Sequence, residues 1–185
     1  MQHRGTIRLE TDRLVLRQHV LEDAEVMFKN WVTEKEVTKF LSWQPHKDVD
    51  ETKQLLDSWI KLYKNDDYYF WTIELKNTKE LVGDISVVNL DEATESVELG
   101  YGIGSKWWGK GITAEAGKAL VKFFFKEVKV NRIYAKHASA NPNSGKVMQK
   151  IGMKKEGIIR QSGICNQGIV DEVYYSILKE EYFNN

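Results

Sequence analysis

The chain has 185 residues, enough for one domain with a sizeable core, and its 27 Lys plus Arg balance 27 Asp plus Glu, so no overall basic field draws it to nucleic acid or an anionic membrane. A lone cysteine, Cys165, cannot form an internal disulfide, and four scattered histidines offer no metal-ligand spacing. No apolar run approaches the roughly 18 residues that span a bilayer, and the N-terminus lacks a signal-peptide core; we expect one soluble, cytoplasmic domain over residues 1–185 with no metal.

Taken in order, Leu14, Val15 and Leu16 read as a short strand, and Leu21 to Trp31 as a helix with Glu22 and Asp23 well placed in its first turn. Trp31 to His46 has no clean period. Asp48 or Asp50 can cap the next helix, whose Leu55, Leu56, Trp59, Ile60 and Tyr63 form one apolar face. After a turn at Asn65–Asp67, residues 68–75, 81–88 and 96–103 read as an antiparallel meander. A helix from Ile112 to about Val128 places Ile112, Ala116, Leu120 and Phe124 on one stripe, and Gly117 inside it permits close packing. A strand at 132–137 follows, parallel to the 96–103 strand because a helix separates the two. A helix over about 143–151 and two strands, 153–161 and 170–178, complete the chain, with a turn around Gly163–Gly168. There is no internal repeat and no low-complexity linker.

The stretch Val97 to Ala116 carries the strongest signal. Gly100 and Gly102 alternate with Leu99, Tyr101 and Ile103, and glycines in a strand mark a bulge or a close approach by a ligand. Gly109-Lys110-Gly111 then opens the helix at Ile112, where unpaired N–H groups and the helix dipole favour phosphate oxygens. A P-loop is excluded because Ile112-Thr113, and not Lys-Ser/Thr, follows Gly111. A dinucleotide fingerprint is excluded because its third glycine would fall on Ser105 or Trp107.

Lys106-Trp107-Trp108-Gly109-Lys110-Gly111 resembles the coenzyme pyrophosphate loop of the GNAT superfamily of N-acyltransferases, (Gln/Arg)-x-x-Gly-x-(Gly/Ala), with Lys106 departing from the usual first residue. Asn141-Pro142-Asn143-Ser144, followed by Lys150-Ile151-Gly152-Met153, resembles the second half of that pattern. Thr11 to Arg17 and Asp171 to Leu178 also look like its RimJ/RimL branch, whose known members acetylate the N-terminal amines of ribosomal proteins. The resemblance implies an α/β (α+β) fold: a mixed, mostly antiparallel central sheet with one parallel, splayed strand pair, flanked by helices. It implies acetyl-CoA as cosubstrate, held by Tyr101, Gly102, Ile103, Lys106, Trp108, Gly109, Lys110, Gly111, Ile112, Thr113, Asn141 and Ser144. The helix–loop–helix before residue 65 is the part that varies with the acceptor.

Amide formation needs a base, since an ammonium has no lone pair. Glu98 lies on the glycine-rich strand, on the side opposite Val97 and Leu99, and RimJ/RimL-like enzymes are thought to use a glutamate there, directly or through water; the alternative is a solvated strand glutamate paired with a lysine. Many GNAT members protonate the departing thiolate with a tyrosine, whose place here holds Met148; Ser144 is the better candidate, and as a helix N-terminal serine it also reads as a cap for backbone N–H groups. A backbone N–H of the glycine-rich strand would polarise the thioester carbonyl. An α-amine of pKa near ~8 is about 3 kcal/mol cheaper to deprotonate at pH 7 than a lysine near ~10.4. The expected reaction is direct acetyl transfer to an amine, most simply a protein N-terminus. A small free amine, a CoA-binding module without turnover and an interaction protein with no CoA site stay open as alternatives, as does homo-oligomerisation. Trp31, Trp43, Tyr69 and Trp71 can line an acceptor groove, with core packing the default for each, and His137 falls at a strand end near the cleft.

Overall fold

The computed structural model describes residues 1–184. Eight strands form one sheet in the order β1-β2-β3-β4-β5-β6-β8-β7: β1 Leu9–Glu10, β2 Leu14–Arg17, β3 Phe70–Leu75, β4 Leu81–Asp91, β5 Ser96–Ile103, β6 Arg132–Ala138, β7 Lys154–Cys165 and β8 Gly168–Leu178. Every neighbouring pair is antiparallel except β5 and β6. Parallel pairing there follows from the chain path, because α4 (Ile112–Phe123), extended to Val128 by a π turn, carries the chain back across the sheet before β6 begins. The mixed, mostly antiparallel α/β sheet expected from the sequence is therefore the one observed.

Side-chain alternation divides the sheet into two faces. Trp71, Ile73, Ile85, Val97, Leu99, Ile133 and Ala135 bury one face against the apolar stripe of α4, where Ile112, Ala116, Leu120, Phe124 and Val128 all lie in the main core. Gly117 lets α4 press against α5 (Pro142–Lys150): a Cβ there would stand 2.9 Å from Ile151 Cγ2. The opposite face of β2, β3 and β4 is covered by α1 (Ala24–Met27), with short helical turns on both sides of it, by α2 (Lys35–Thr38) and by α3 (Val49–Leu62). Asp48 caps α3, accepting from the Glu51 N–H at 2.8 Å. Ala24, Met27, Trp31, Val32 and Leu56 form a second core beneath these helices. A short α6 (Lys179–Asn184) follows β8.

Three local readings change. The period-less stretch after Trp31 contains α2, too short for apolar periodicity to show. Gly163 belongs to a strand rather than a turn, and only Asn166 and Gln167 separate β7 from β8; a Cβ at Gly163 would lie 2.5 Å from the Glu172 carboxyl, so this glycine serves packing. Trp31, Tyr69 and Trp71 are fully buried core residues, which removes them as groove lining, while Trp43 is partly buried against the second core.

Candidate active site

The β5–β6 ladder pairs only Ser96 with Arg132, Val97 with Ile133 and Glu98 with Tyr134. Beyond Glu98 both strands continue without pairing, so they diverge, and the β5 backbone groups turned toward β6 are left without a strand partner. A cavity of about 490 Å³ fills this wedge, and its lining reaches from α2 on one face of the sheet to the N-terminal turns of α4 and α5 on the other. Gly100 has a defined packing role, since a Cβ there would stand 2.6 Å from Val88 Cγ1. Val88 is the extra residue of a bulge in β4, where Val87 pairs with Leu99 and Asn89 with Glu98.

At the wide end of the wedge, Gly109 and Gly111 adopt φ of 74° and 75°, the left-handed region that L side chains rarely occupy. A Cβ on Gly109 would meet nothing within 4 Å, and Gly111 immediately precedes the first turn of α4. Tyr101, Gly102, Ile103, Trp108, Gly109 and Gly111 line the cavity, as do Ile112, Thr113, Asn141 and Ser144. Lys106 and Lys110 stand outside that lining. Lys106 pairs with Glu80 at 3.1 Å and lies over the Trp107 ring, and Lys110 contributes a carbonyl that accepts from Arg13.

Arg13 is a residue whose place at this loop went unread in the sequence. Its Nε donates to Glu115 at 2.6 Å and its Nη1 to the Lys110 carbonyl at 3.2 Å, which ties the loop and the first turn of α4 to the start of β2. The only signal was the Thr11-to-Arg17 motif, which carried a resemblance but no role.

On the α5 side, Ser144 falls in the first turn of the helix. Its Oγ accepts from Asn141 Nδ2 at 3.0 Å, while no side chain caps the helix. The capping role read for Ser144 is thus replaced by a pairing with Asn141. Tyr101 donates its hydroxyl to the Ser144 carbonyl at 3.0 Å, and burial pushes its pKa well up. Met148 is buried core. His137 lies one residue before the end of β6 and lines the cavity, with Nδ1 bonded to the Ala138 carbonyl at 2.8 Å.

Glu98, the last residue of β5 that pairs with β6, lies at the narrow end of the wedge but outside the cavity lining, next to Lys136, which is part of that lining. Glu98 is 8% exposed, and burial raises its pKa, against the pull of the Lys136 cation and a hydrogen bond from Tyr134. Lys136 Nζ sits 3.8 Å from Glu98 and 3.5 Å from Glu172. Burial works against that charge, but the two carboxylates outweigh it and raise the Lys136 pKa. Ser162 donates to Glu172 at 2.8 Å. Tyr134, Lys136 and Glu172 project from the same face as Glu98, as the pairing register requires.

A second carboxyl lies on the same face. Asp84, opposite Gly102, accepts from Trp31 Nε1 at 3.2 Å, and burial pushes its pKa to about 7. Nothing in the sequence singled it out, because a strand aspartate has no signature until a helix covers it.

The profile of the acetyltransferase (GNAT) domain family matches residues 13–154. An uncharacterized N-acetyltransferase, p20, of Bacillus licheniformis is 32% identical over 94% of this chain and 97% of its own length. The [Ribosomal protein uS5]-alanine N-acetyltransferase of Escherichia coli K12 is 28% identical over 82% of this chain and 80% of its own. The crystal structure of a GNAT-family acetyltransferase from Bacillus anthracis superposes with a TM-score of 0.82 at 28% identity, covering 95% of this chain and all of that one.

Proposed function

The chain belongs to the GNAT acetyltransferase family, and from that premise we propose that it transfers acetyl from acetyl-CoA to the N-terminal α-amine of a protein, with Glu98 as the base. That it is an acetyl-CoA-dependent N-acetyltransferase follows from the family; the acceptor and the residue roles are our reading. The observation that carries it is the wedge, which is lined by Gly109 and Gly111 at one end and at the other by Lys136, whose ammonium stands 3.8 Å from Glu98.

The two amides of pantetheine extend like an added strand, and the unpartnered backbone groups of β5 suit them. The pyrophosphate goes to the N–H groups at Gly109, Gly111 and the start of α4, where glycine allows close approach. This orientation brings the thioester toward the narrow end, beside Glu98. Glu98 takes a proton from the acceptor ammonium, directly or through water. The amine nitrogen then attacks the thioester carbonyl, and the carbon–sulfur bond breaks as the carbonyl re-forms. A β5 backbone N–H stabilises the oxyanion, and the thiolate leaves toward Ser144; the second proton of the attacking nitrogen passes to the sulfur, directly or relayed by the Ser144 hydroxyl, so that CoA departs as the thiol and the amide nitrogen is left neutral. Cys165 lies at the β7–β8 turn, away from the cavity lining, so attack is direct and no acyl-enzyme forms.

Asp84 offers a competing base, since a pKa near 7 suits the task. Its position opposite Gly102 puts it part-way along the coenzyme arm rather than at the narrow end, which favours Glu98. Turnover with N-terminal peptides and small amines, measured for Glu98→Gln and Asp84→Asn, tests the choice. A collapse only in Glu98→Gln supports the reading, and a collapse only in Asp84→Asn reverses it. Robust turnover of small amines with none of peptides removes the protein acceptor.

A further inference from the structure

The exposed tip of the β7–β8 hairpin is tied to another part of the chain. The hairpin bends at a register shift between Ile159 and Gly163, where Gln161 takes φ of 51° and its N–H bonds Asp171, and its turn then reaches the segment after α2. There a single residue, Asn166, uses every polar group of its side chain. Nδ2 donates to the carbonyls of Thr38 at 2.9 Å and Trp43 at 2.8 Å, and Oδ1 accepts from Gln44, while the Asn166 backbone N–H donates to Leu41 at 3.1 Å. Two donors and an acceptor at one short side chain is a set that only asparagine supplies at this reach.

These bonds close a circuit. From Asn166 the path runs through residues 38–44 and α2 back to Trp31 and Asn30, which bond Asp84 and Leu81 of β4. It then crosses β4 to β5, β5 to β6 and β6 to β8, and returns along β8 to the turn. Glu98, Lys136 and Glu172 stand on the β5, β6 and β8 stretch of this circuit, with Lys136 3.8 Å from Glu98 and 3.5 Å from Glu172.

We infer that Asn166 is a clasp that sets acceptor specificity. It converts an open cleft into a ringed entrance, so that only an amine at a slender chain end reaches Glu98. This inference rests on the acceptor reading above. Asn166 is not itself in the cavity lining, but it holds the segment whose Lys39, Phe40 and Leu41 are, so it is a positioning residue, and loosening it broadens acceptor choice.

Two readouts on the full chain test the clasp in wild type, Asn166→Ala, Asn166→Asp and the neighbouring control Gln167→Ala. The first needs no turnover: Lys136 in the cavity lining is labelled with cyanate and, separately, with a bulky biotin ester, and mass spectrometry gives the ratio of the two. Both reagents need the neutral amine, so a change in the Lys136 pKa cancels in the ratio. We expect wild type and Gln167→Ala to exclude the bulky reagent, and both Asn166 variants to raise the ratio about tenfold or more. The second readout is kcat/KM for a peptide beginning with alanine against one beginning with α-methylalanine. The preference for the slender end should narrow about tenfold in both Asn166 variants. Bulky labelling of wild-type Lys136 as fast as that of exposed Lys118, or unchanged ratios in both Asn166 variants, overturns the clasp. Failure of wild type to acetylate either peptide counts against the α-amine acceptor, and the labelling ratio still decides the clasp.

Discussion

The two ends of the active-site passage are built on different principles. The end we propose for the coenzyme is made by the backbone: an unpaired stretch of β5, two glycines at positive φ and the start of α4, all within residues 99–113. The end we propose for the acceptor is made by side chains from separate strands, Glu98 from β5, Lys136 from β6 and Glu172 from β8, while Asn166 ties the hairpin turn to residues 38–44. A site made of backbone tolerates changes of side-chain charge and fails on changes of shape. A site made of convergent side chains behaves the other way.

The sharpest test of that contrast is Glu98→Gln, which keeps shape and removes the base. We expect kcat to fall on the order of 10²–10⁴-fold with acetyl-CoA affinity little changed, as separate measurements of calorimetric binding and turnover will report. The pH profile adds a sign. Burial raises the Glu98 pKa, so the acidic limb of kcat/KM should lie above the ordinary carboxylate range and flatten in Glu98→Gln. Lys136 pulls that pKa down, so Lys136→Gln should move the limb to higher pH; a move to lower pH would break the proposed pairing.

The helices on the acceptor side should also be the acid-sensitive part of the molecule. His19 is 2% exposed between Trp59 and Phe70, and both ring nitrogens lack a hydrogen-bond partner. Desolvation lowers its pKa from 6.5 to about 4, with Asp23 opposing and Arg17 assisting. The unfolded chain therefore binds more protons than the folded one between those values. The stabilisation is present in full above pH ~6.5 and is lost as pH falls toward ~4, amounting to roughly 3 kcal/mol. Denaturant titrations at pH 7 and pH 4.5 should show wild type losing more stability than His19→Phe, with amide exchange rising first around α3. Equal losses would show that His19 is not buried as a neutral ring.

At the coenzyme end, Gly109→Val and Gly111→Val should weaken acetyl-CoA binding roughly 10–100-fold, because a β-branched residue pays about 1–3 kcal/mol in the left-handed region and blocks backbone approach. Normal binding by both variants would remove the loop from the coenzyme site.

This contrast also explains what the sequence revealed. A positive-φ turn at a helix start and glycines in a strand are local, so Gly100 to Thr113 could be read in a row, and so could the parallel pairing that a crossover helix imposes. The stripe on α4 was equally plain. Asp84 and Asn166 carried no local mark, because each acquires its partners from residues far along the chain. Gly163 was misread for a related reason: turn chemistry and packing against Glu172 ask for the same residue. Lys106 was grouped with the coenzyme loop by motif alignment, and the structure turns its side chain to Glu80.

Ser144 sits where the two ends meet, so its effect should be intermediate. Ser144→Ala removes the Oγ that accepts from Asn141, and we expect a loss of about 3–10-fold in kcat with a smaller loss in coenzyme affinity. An affinity loss larger than the loss in kcat would make it a coenzyme contact only.

The smallest expected effect belongs to Lys106, at the first position of the loop motif. If the loop held phosphate by side-chain charge, Lys106→Gln would weaken coenzyme binding, and more so at low salt. The geometry argues otherwise. The Lys106 ammonium is engaged by Glu80 at 3.1 Å and the Trp107 ring at 4.8 Å, and its side chain is 65% exposed. An exposed pair of this kind contributes little to folding, so its loss should leave the loop in place. The N–H groups around Gly109 and Gly111 remain, and glutamine is a residue that the family pattern itself uses at this position. Acetyl-CoA affinity in Lys106→Gln should therefore stay within about twofold of wild type at both 20 mM and 200 mM salt, measured by calorimetry. A loss that grows at low salt would mean that charge, and not backbone shape, holds the pyrophosphate, and the distinction between the two ends of the passage would fail at the place where it should be clearest.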